Sequence, residues 1–182
     1  LNRQRSGALD PHAMTAQQTL LFTMLEANRI DDAKTLLEDY LQKTREVADG
    51  DGSIWRLAAM PLARELFETK QFDLAEPVMG EIAEICRRNE PDSWTTYIAV
   101  LNLARVRLAQ RNFAGASPLL SEADEGIQKC FAELSEAERS AVIDHFQKTA
   151  DLCFALGAES LAQAWEQKAE ALRKVPPPSK NP

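Results

Sequence analysis

The chain has 182 residues, enough to bury a hydrophobic core, and its 45% hydrophobic and 27% charged residues are typical of soluble globular proteins. Its net charge of −7 argues against general nucleic-acid binding, which usually requires a basic surface. No run approaches the roughly 18 apolar residues that a membrane span needs, so we expect no membrane partner.

The cysteines and histidines are too dispersed for a metal site or a disulfide framework. Cys86, Cys130 and Cys153 are odd in number and far apart. Neither His12 nor His145 clusters with them. Each cysteine falls on a helical face that folding would bury, which indicates small core residues in a reducing compartment. We therefore expect no metal, no cofactor and a cytoplasmic location.

Both ends of the chain fall outside the periodic pattern. Residues 1–14 have no apolar periodicity, and we interpret them as a cloning remnant or a disordered N-terminus, with Met14 a plausible native start. A short arginine-bearing presequence is the alternative. Residues 175–182 contain three successive prolines, which predict an extended, disordered tail. The folded domain is expected over residues 15–174.

Between these ends, apolar residues recur every three or four positions, which predicts helices and no strands. Thr15 and Ser53 are positioned as N-caps, and Ser135 with Glu138 has the spacing of a capping box. Pro61 is expected to kink the third helix or to restart it. The helices pair into four predicted units at residues 15–49, 53–89, 91–131 and 135–174.

The break between the first two units contains two glycines and three acidic or hydroxyl side chains at residues 48–53. Its composition suggests a calcium loop. However, it lacks the ligand ladder and the closing glutamate of an EF-hand. A plain loop is the better interpretation.

A packing pattern repeats about every 42 residues. In the third unit it consists of Ala104, Phe113, Ala116, Leu120 and Ala123, at helical spacing. The alanines matter because two antiparallel helices approach closely only where the side chains between them are short. A helix pair repeated at this period indicates an α-solenoid. The shared alanine of the four units is Ala33, Ala75, Ala116 and Ala162.

This pattern resembles a tetratricopeptide repeat. The segments FDLAEPVM at residues 72–79 and FAGASPLL at residues 113–120, together with the long period, are similar to the kinesin-light-chain-like branch of that family. The resemblance implies an all-α, right-handed α–α superhelix of about four helical hairpins. It also implies that the first helix of each pair lines a concave groove, which binds a protein or a peptide.

Six residues are candidates for contacts in this groove. Arg64 follows Ala63 as Arg105 follows Ala104, so the two arginines are expected on the same side, one unit apart. Asn102 matches an asparagine that is common on the inner helices of kinesin-light-chain-like repeats, where the resemblance implies a bond to a peptide backbone. The candidates are Arg64, Asn102, Arg105, Arg107, Gln147 and Asp151.

The charge pattern suggests what the groove binds. No acidic residue lies between Asp92 and Glu122, whereas Arg105, Arg107 and Arg111 do. A local positive patch would favour an acidic peptide or a chain-terminal carboxylate, because guanidinium groups bind carboxylates through paired hydrogen bonds. Alternatively, these arginines pair with acids of neighbouring units or extend into solvent.

Nothing in the sequence predicts catalysis. Asp144 and His145 are adjacent, but neighbouring helical residues point apart. Cys153 lies on an apolar face, and no glycine-rich phosphate loop is present. We therefore predict a non-enzymatic scaffold module that binds a protein or peptide. The alternatives are a sensory domain that binds a small molecule or a short signalling peptide, and a homo-oligomerisation module.

Overall fold

The structure, a computed structural model, describes residues 11–47 and 52–176. Every regular element within these ranges is a helix, so the predicted all-α class is confirmed. Residues 1–10 of the predicted N-terminal segment (1–14), residues 177–182 of the predicted tail (175–182) and residues 48–51 of the predicted loop lie outside the described residues. The helices are α1 (Pro11–Glu26), α2 (Ile30–Val47), α3 (Gly52–Glu68), α4 (Phe72–Asn89), α5 (Trp94–Ala109), α6 (Phe113–Cys130), α7 (Glu136–Ala155) and α8 (Glu159–Arg173), with a short 3-10 helix at Phe131–Glu133.

Two helices differ from the sequence-based expectation. α1 begins at Pro11, before the predicted cap at Thr15, because proline has no N–H to leave unbonded at the first helical position. α3 continues through Pro61 without a break. A proline inside a helix costs about 3 kcal/mol. The fully buried Leu62 and Leu66 that follow it supply packing that offsets this cost.

The chain divides into two compact units, residues 1–85 and 86–182. In the first unit, α1 packs against α2 and α3. In the second unit, α5 pairs with α6, α7 pairs with α8, and α5 also packs against α7. In the second unit, α5 and α7, which are the first helices of the two hairpins, therefore lie side by side.

The repeated alanines are packing residues, as predicted. Each is at most 1% exposed, and each donates its backbone N–H to the carbonyl four residues earlier at 2.9–3.0 Å. Ala104, on α5, and Ala123, two turns after Ala116 on α6, are fully buried as well. The small side chains allow the two helices of a hairpin to approach closely.

The four hairpin corners share one backbone geometry. In the third corner, the N–H of Arg111 bonds the carbonyl of Leu108, and the N–H of Asn112 bonds the carbonyl of Arg107, both at 2.8 Å. This pair of bonds is the Schellman motif, which places one residue in the left-handed region. That residue precedes the repeat alanine by five positions in every unit. The four residues are Asn28 (φ 56°), Lys70 (φ 61°), Arg111 (φ 59°) and Gly157 (φ 75°).

The capping box predicted at Ser135 is present and connects α7 to α5. The Glu138 N–H donates to Ser135 Oγ at 3.4 Å, and the Ser135 N–H donates to Glu138 Oε2 at 2.8 Å. Trp94 Nε1, in the first turn of α5, donates to Glu138 Oε1 at 3.1 Å. The bonds from Ser135 hold the pKa of the Glu138 carboxyl below its usual value. One carboxylate therefore fixes the starts of both helices.

Candidate functional site

The facing sides of α5 and α7 carry the polar residues that make up the candidate site. We call this region the α5–α7 surface. Its members are Asn102, Arg105, Asp144, His145, Gln147 and Asp151.

Asn102 orients Arg105 towards α7. Asn102 is 5% exposed, and its Oδ1 accepts a hydrogen bond from the Arg105 guanidinium at 3.2 Å. Burial lowers the pKa of Arg105, and the carboxylates of Asp144 and Asp151 act in the opposite direction. The guanidinium is therefore a desolvated cation held beside two anions. Because Asn102 is buried beneath it, a ligand would contact Arg105, with Asn102 as its support.

Gln147 and Asp151 form a second polar group on the same helix. Gln147 Nε2 donates to Asp151 Oδ1 at 3.2 Å. Its Oε1 accepts from Arg173, on α8, at 3.3 Å. The structure thus brings two predicted candidates into direct contact and adds Arg173, whose role the sequence does not indicate.

His145 is a neutral side chain at the centre of these charges. Its Nδ1 is buried and makes no hydrogen bond within the described part of the chain. Burial, followed by the positive charges of Arg105 and Lys148, lowers its pKa to about 4, and Asp144 opposes them. Asp144 pairs with Lys148 at 2.6 Å. His145 and Asp144 are therefore not arranged as a catalytic dyad.

The three arginines that are close together in the sequence occupy different positions in the structure. Arg107 donates to the Gly115 carbonyl at 3.1 Å and braces the corner between α5 and α6. Arg111 occupies the left-handed position of that corner. Residues two apart on a helix are separated by about 200°. Arg105 consequently faces α7 while Arg107 faces α6, and the expected single positive patch is not formed.

The remaining candidate, Arg64, belongs to the first unit. Its side chain is 77% exposed, and its Nε pairs with Glu68 on the same helix at 3.2 Å. This is an exposed pair one helical turn apart, an arrangement that contributes little to stability.

Other chemistries receive no structural support in the described ranges. No three histidine, cysteine, aspartate or glutamate side chains are grouped there as metal ligands would be. Cys86 and Cys153 are buried and Cys130 is half-buried. Burial raises the pKa of the Cys130 and Cys153 thiols, which keeps them protonated and weakly nucleophilic. No helix of residues 11–47 or 52–176 combines the length and apolarity of a membrane span.

No protein-family model and no curated protein matches the chain. A solved structure, BtubC (BKLC) from P. vanneervenii, is similar over 98% of this chain and 72% of that chain, with 19% sequence identity and a TM-score of 0.56. BtubC is a kinesin-light-chain-like tetratricopeptide protein. The chain has a tetratricopeptide-like fold. The resemblance inferred from the repeats is thereby confirmed for the fold, and at this identity the likeness concerns the fold alone. In a tetratricopeptide-like hairpin the first helix lines the inner surface, and α5 and α7 are the first helices of their pairs.

Proposed function

We propose that the chain is a non-enzymatic module that binds a protein or a peptide on the α5–α7 surface. The tetratricopeptide-like fold supports this proposal, because helical repeats of this kind act as scaffolds. The observation that carries it is the state of Arg105, a desolvated guanidinium oriented by Asn102. Arginine is one of the residue types enriched among the few desolvated, central residues that dominate protein–protein binding.

The charges of the surface indicate the chemistry of the partner. Arg105 offers a guanidinium, Asp151 offers a carboxylate, and Gln147 offers an amide that bonds peptide N–H and C=O groups. We propose that the partner is a peptide segment that presents an acidic residue to Arg105 and a donor to Asp151. Such alternation gives specificity, since a segment with charges in the wrong order meets like charge.

We also propose Arg64 as a separate contact residue of the first unit. It holds the same offset as Arg105 within the repeat, directly after the small inner-helix residue. Its exposed side chain is available for binding at small cost, because its pair with Glu68 is solvent-exposed. Arg64→Glu is therefore tested separately from Arg105→Glu.

The test begins with a peptide selected from a random library displayed against the full chain. Its affinity is then measured by fluorescence anisotropy. Arg105→Glu is expected to weaken binding by about tenfold or more, the usual effect of reversing a buried charge at an interface. Arg88→Glu is the matched control, because Arg88 is exposed on α4. Equal affinities of the two variants would remove Arg105 from the site, and failure to select any peptide would count against the function.

A further inference from the structure

Arg139, on α7, is a buried cation whose guanidinium donates to two neutral carbonyls. The residue is 8% exposed, and its guanidinium lies 4.6 Å from the centroid of the Phe131 ring. One guanidinium nitrogen donates to the Pro176 carbonyl at 2.8 Å, and the other donates to the Val175 carbonyl. Val175 and Pro176, which we call the strap, were predicted as the start of a disordered tail. In the structure their carbonyls supply the acceptors that a buried guanidinium requires.

Two cavities adjoin the strap. One, of about 340 Å³, lies between α7 and α8, and Arg139, Ile143 and Leu172 are among its lining residues. The other, of about 400 Å³, lies between α6 and α8, and its lining includes Leu172 and Val175. Leu172 therefore lines both cavities. The strap bonds a residue of the first cavity and contributes a side chain to the second.

The first cavity is suited to an anion with an apolar body. Its charged lining residues are the guanidinium groups of Arg139 and Arg173 and the carboxylate of Glu136. Ile143 and Leu172 supply apolar walls. Arg173 pairs with Glu170 at 3.2 Å, so Arg139, whose guanidinium donates to two neutral carbonyls, supplies the positive charge that attracts an anion.

We propose that Arg139 is the binding site of a small monocarboxylate with an apolar body, and that the strap occupies this site until the ligand displaces it. Two carbonyl oxygens now fill the two arms of the guanidinium fork. A carboxylate offers the same two acceptors with a full negative charge, and a bidentate arginine–carboxylate pair adds both energy and geometric specificity. Once the strap leaves, the apolar body of the ligand packs on Leu172 in the space that Val175 vacates.

The test compares 4-phenylbutyrate with 4-phenylbutyramide by calorimetry on the full chain. The acid is expected to bind at least about tenfold more tightly than the amide. The NMR signals of the Val175 methyl groups are expected to shift on saturation with the acid. Val175→Gly removes the apolar contact of the strap and leaves Arg139 in place, so it is expected to raise the affinity for the acid. Arg139→Gln is expected to abolish the preference for the acid.

Several results would overturn the proposal. Equal affinity for acid and amide would exclude the ion pair, and acid binding with unchanged Val175 signals would exclude displacement of the strap. If Arg139→Gln fails to fold, the ligand pair and Val175→Gly still decide the question. Arg105→Glu separates this site from the α5–α7 surface. It is expected to leave the affinity for 4-phenylbutyrate unchanged, and a loss would place the ligand elsewhere.

Discussion

Arg87 and Glu122 form a two-pronged ion pair that joins the last turn of α4 to α6. Arg87 Nε lies 2.8 Å from Glu122 Oε1, and the other guanidinium nitrogen lies 2.7 Å from Oε2. The side chains are 30% and 38% exposed. Most surface ion pairs contribute little, but a bidentate arginine–carboxylate pair is the geometry that contributes measurably.

Removing this pair is expected to lower the free energy of unfolding. Arg87→Met should cost about 1 kcal/mol at low ionic strength and less in 1 M salt, because screening weakens a half-exposed pair. Urea unfolding measures the change. A double-mutant cycle with Glu122→Gln isolates the pair, and Arg88→Met, at an exposed neighbouring position, is the control. A coupling energy of zero would mean that the pair does not hold the last turn of α4 to α6.

Two helical glycines provide a matched test of the packing in α5 and α6. A Cβ added at Gly126 would lie 2.1 Å from the nearest ring atom of Tyr97, whereas one added at Gly80 meets nothing within 4 Å. Gly126→Ala is therefore expected to destabilise the chain by about 1–3 kcal/mol through overpacking. Gly80→Ala is expected to stabilise it by about 0.5–1 kcal/mol, since alanine favours the helix. Thermal unfolding of the two variants shows whether each substitution lowers or raises stability. Loss of stability in both variants would contradict the packing that we describe.

The shared corner geometry predicts opposite effects for two substitutions. Arg111→Gly relieves a left-handed Cβ and is expected to raise stability by about 0.5–1 kcal/mol. Gly157→Ala introduces the same strain and is expected to lower it by about 1 kcal/mol. No neighbouring atom lies within 4 Å of the added Cβ at Gly157, so the backbone conformation is the cause. Chemical denaturation of the two variants against the parent chain measures both effects.

The buried His145 predicts a loss of stability in acid. Its pKa in the folded chain is about 4, compared with 6.5 for an ordinary histidine. Between these values the unfolded chain binds a proton that the folded chain does not. The part of the free energy of unfolding that depends on neutral His145 is therefore complete above pH 6.5, and it is lost as the pH falls towards 4. The loss is about 2 kcal/mol when partial exposure is taken into account.

Urea unfolding at pH 7 and pH 4.5 tests this prediction. His145→Gln removes the titration and is expected to show a smaller difference between the two pH values than the parent chain. The remaining titratable groups, including Asp144, Lys148 and Arg105 around the imidazole, are present in both proteins. Identical pH dependence in the two proteins would show that His145 is not held neutral by the fold.

The fold could be predicted from the sequence because the patterns that indicate it involve residues close together in the chain. The capping box joins Ser135 to Glu138, three positions apart, and the alanine repeat reflects contacts within one hairpin. The site was harder to predict because the residues that contact one another in it are far apart in the sequence. The repeat places Arg105 and Asp151 in one groove, but it does not indicate that Gln147 bonds Arg173, 26 positions away. The separation of Arg105 from Arg107 follows from helical rotation alone and could have been predicted.

The strap shows a different limit of sequence analysis. Its proline-rich composition predicts disorder, and that rule considers only the segment itself. The buried Arg139, 36 and 37 positions away, provides the hydrogen bonds that fix Val175 and Pro176. The composition of the segment alone gives no indication of these hydrogen bonds.

Reciprocal charge reversal at Arg105 tests the proposed function most directly. The selected peptide is first scanned to find the acidic residue whose replacement weakens binding most, and that residue is changed to lysine. Arg105→Glu is expected to bind the parent peptide about tenfold more weakly and to regain affinity for the lysine peptide, because the pair is restored with opposite polarity. The parent chain should reject the lysine peptide. If no single charge reversal in the peptide restores binding to Arg105→Glu, the α5–α7 surface is not the binding site.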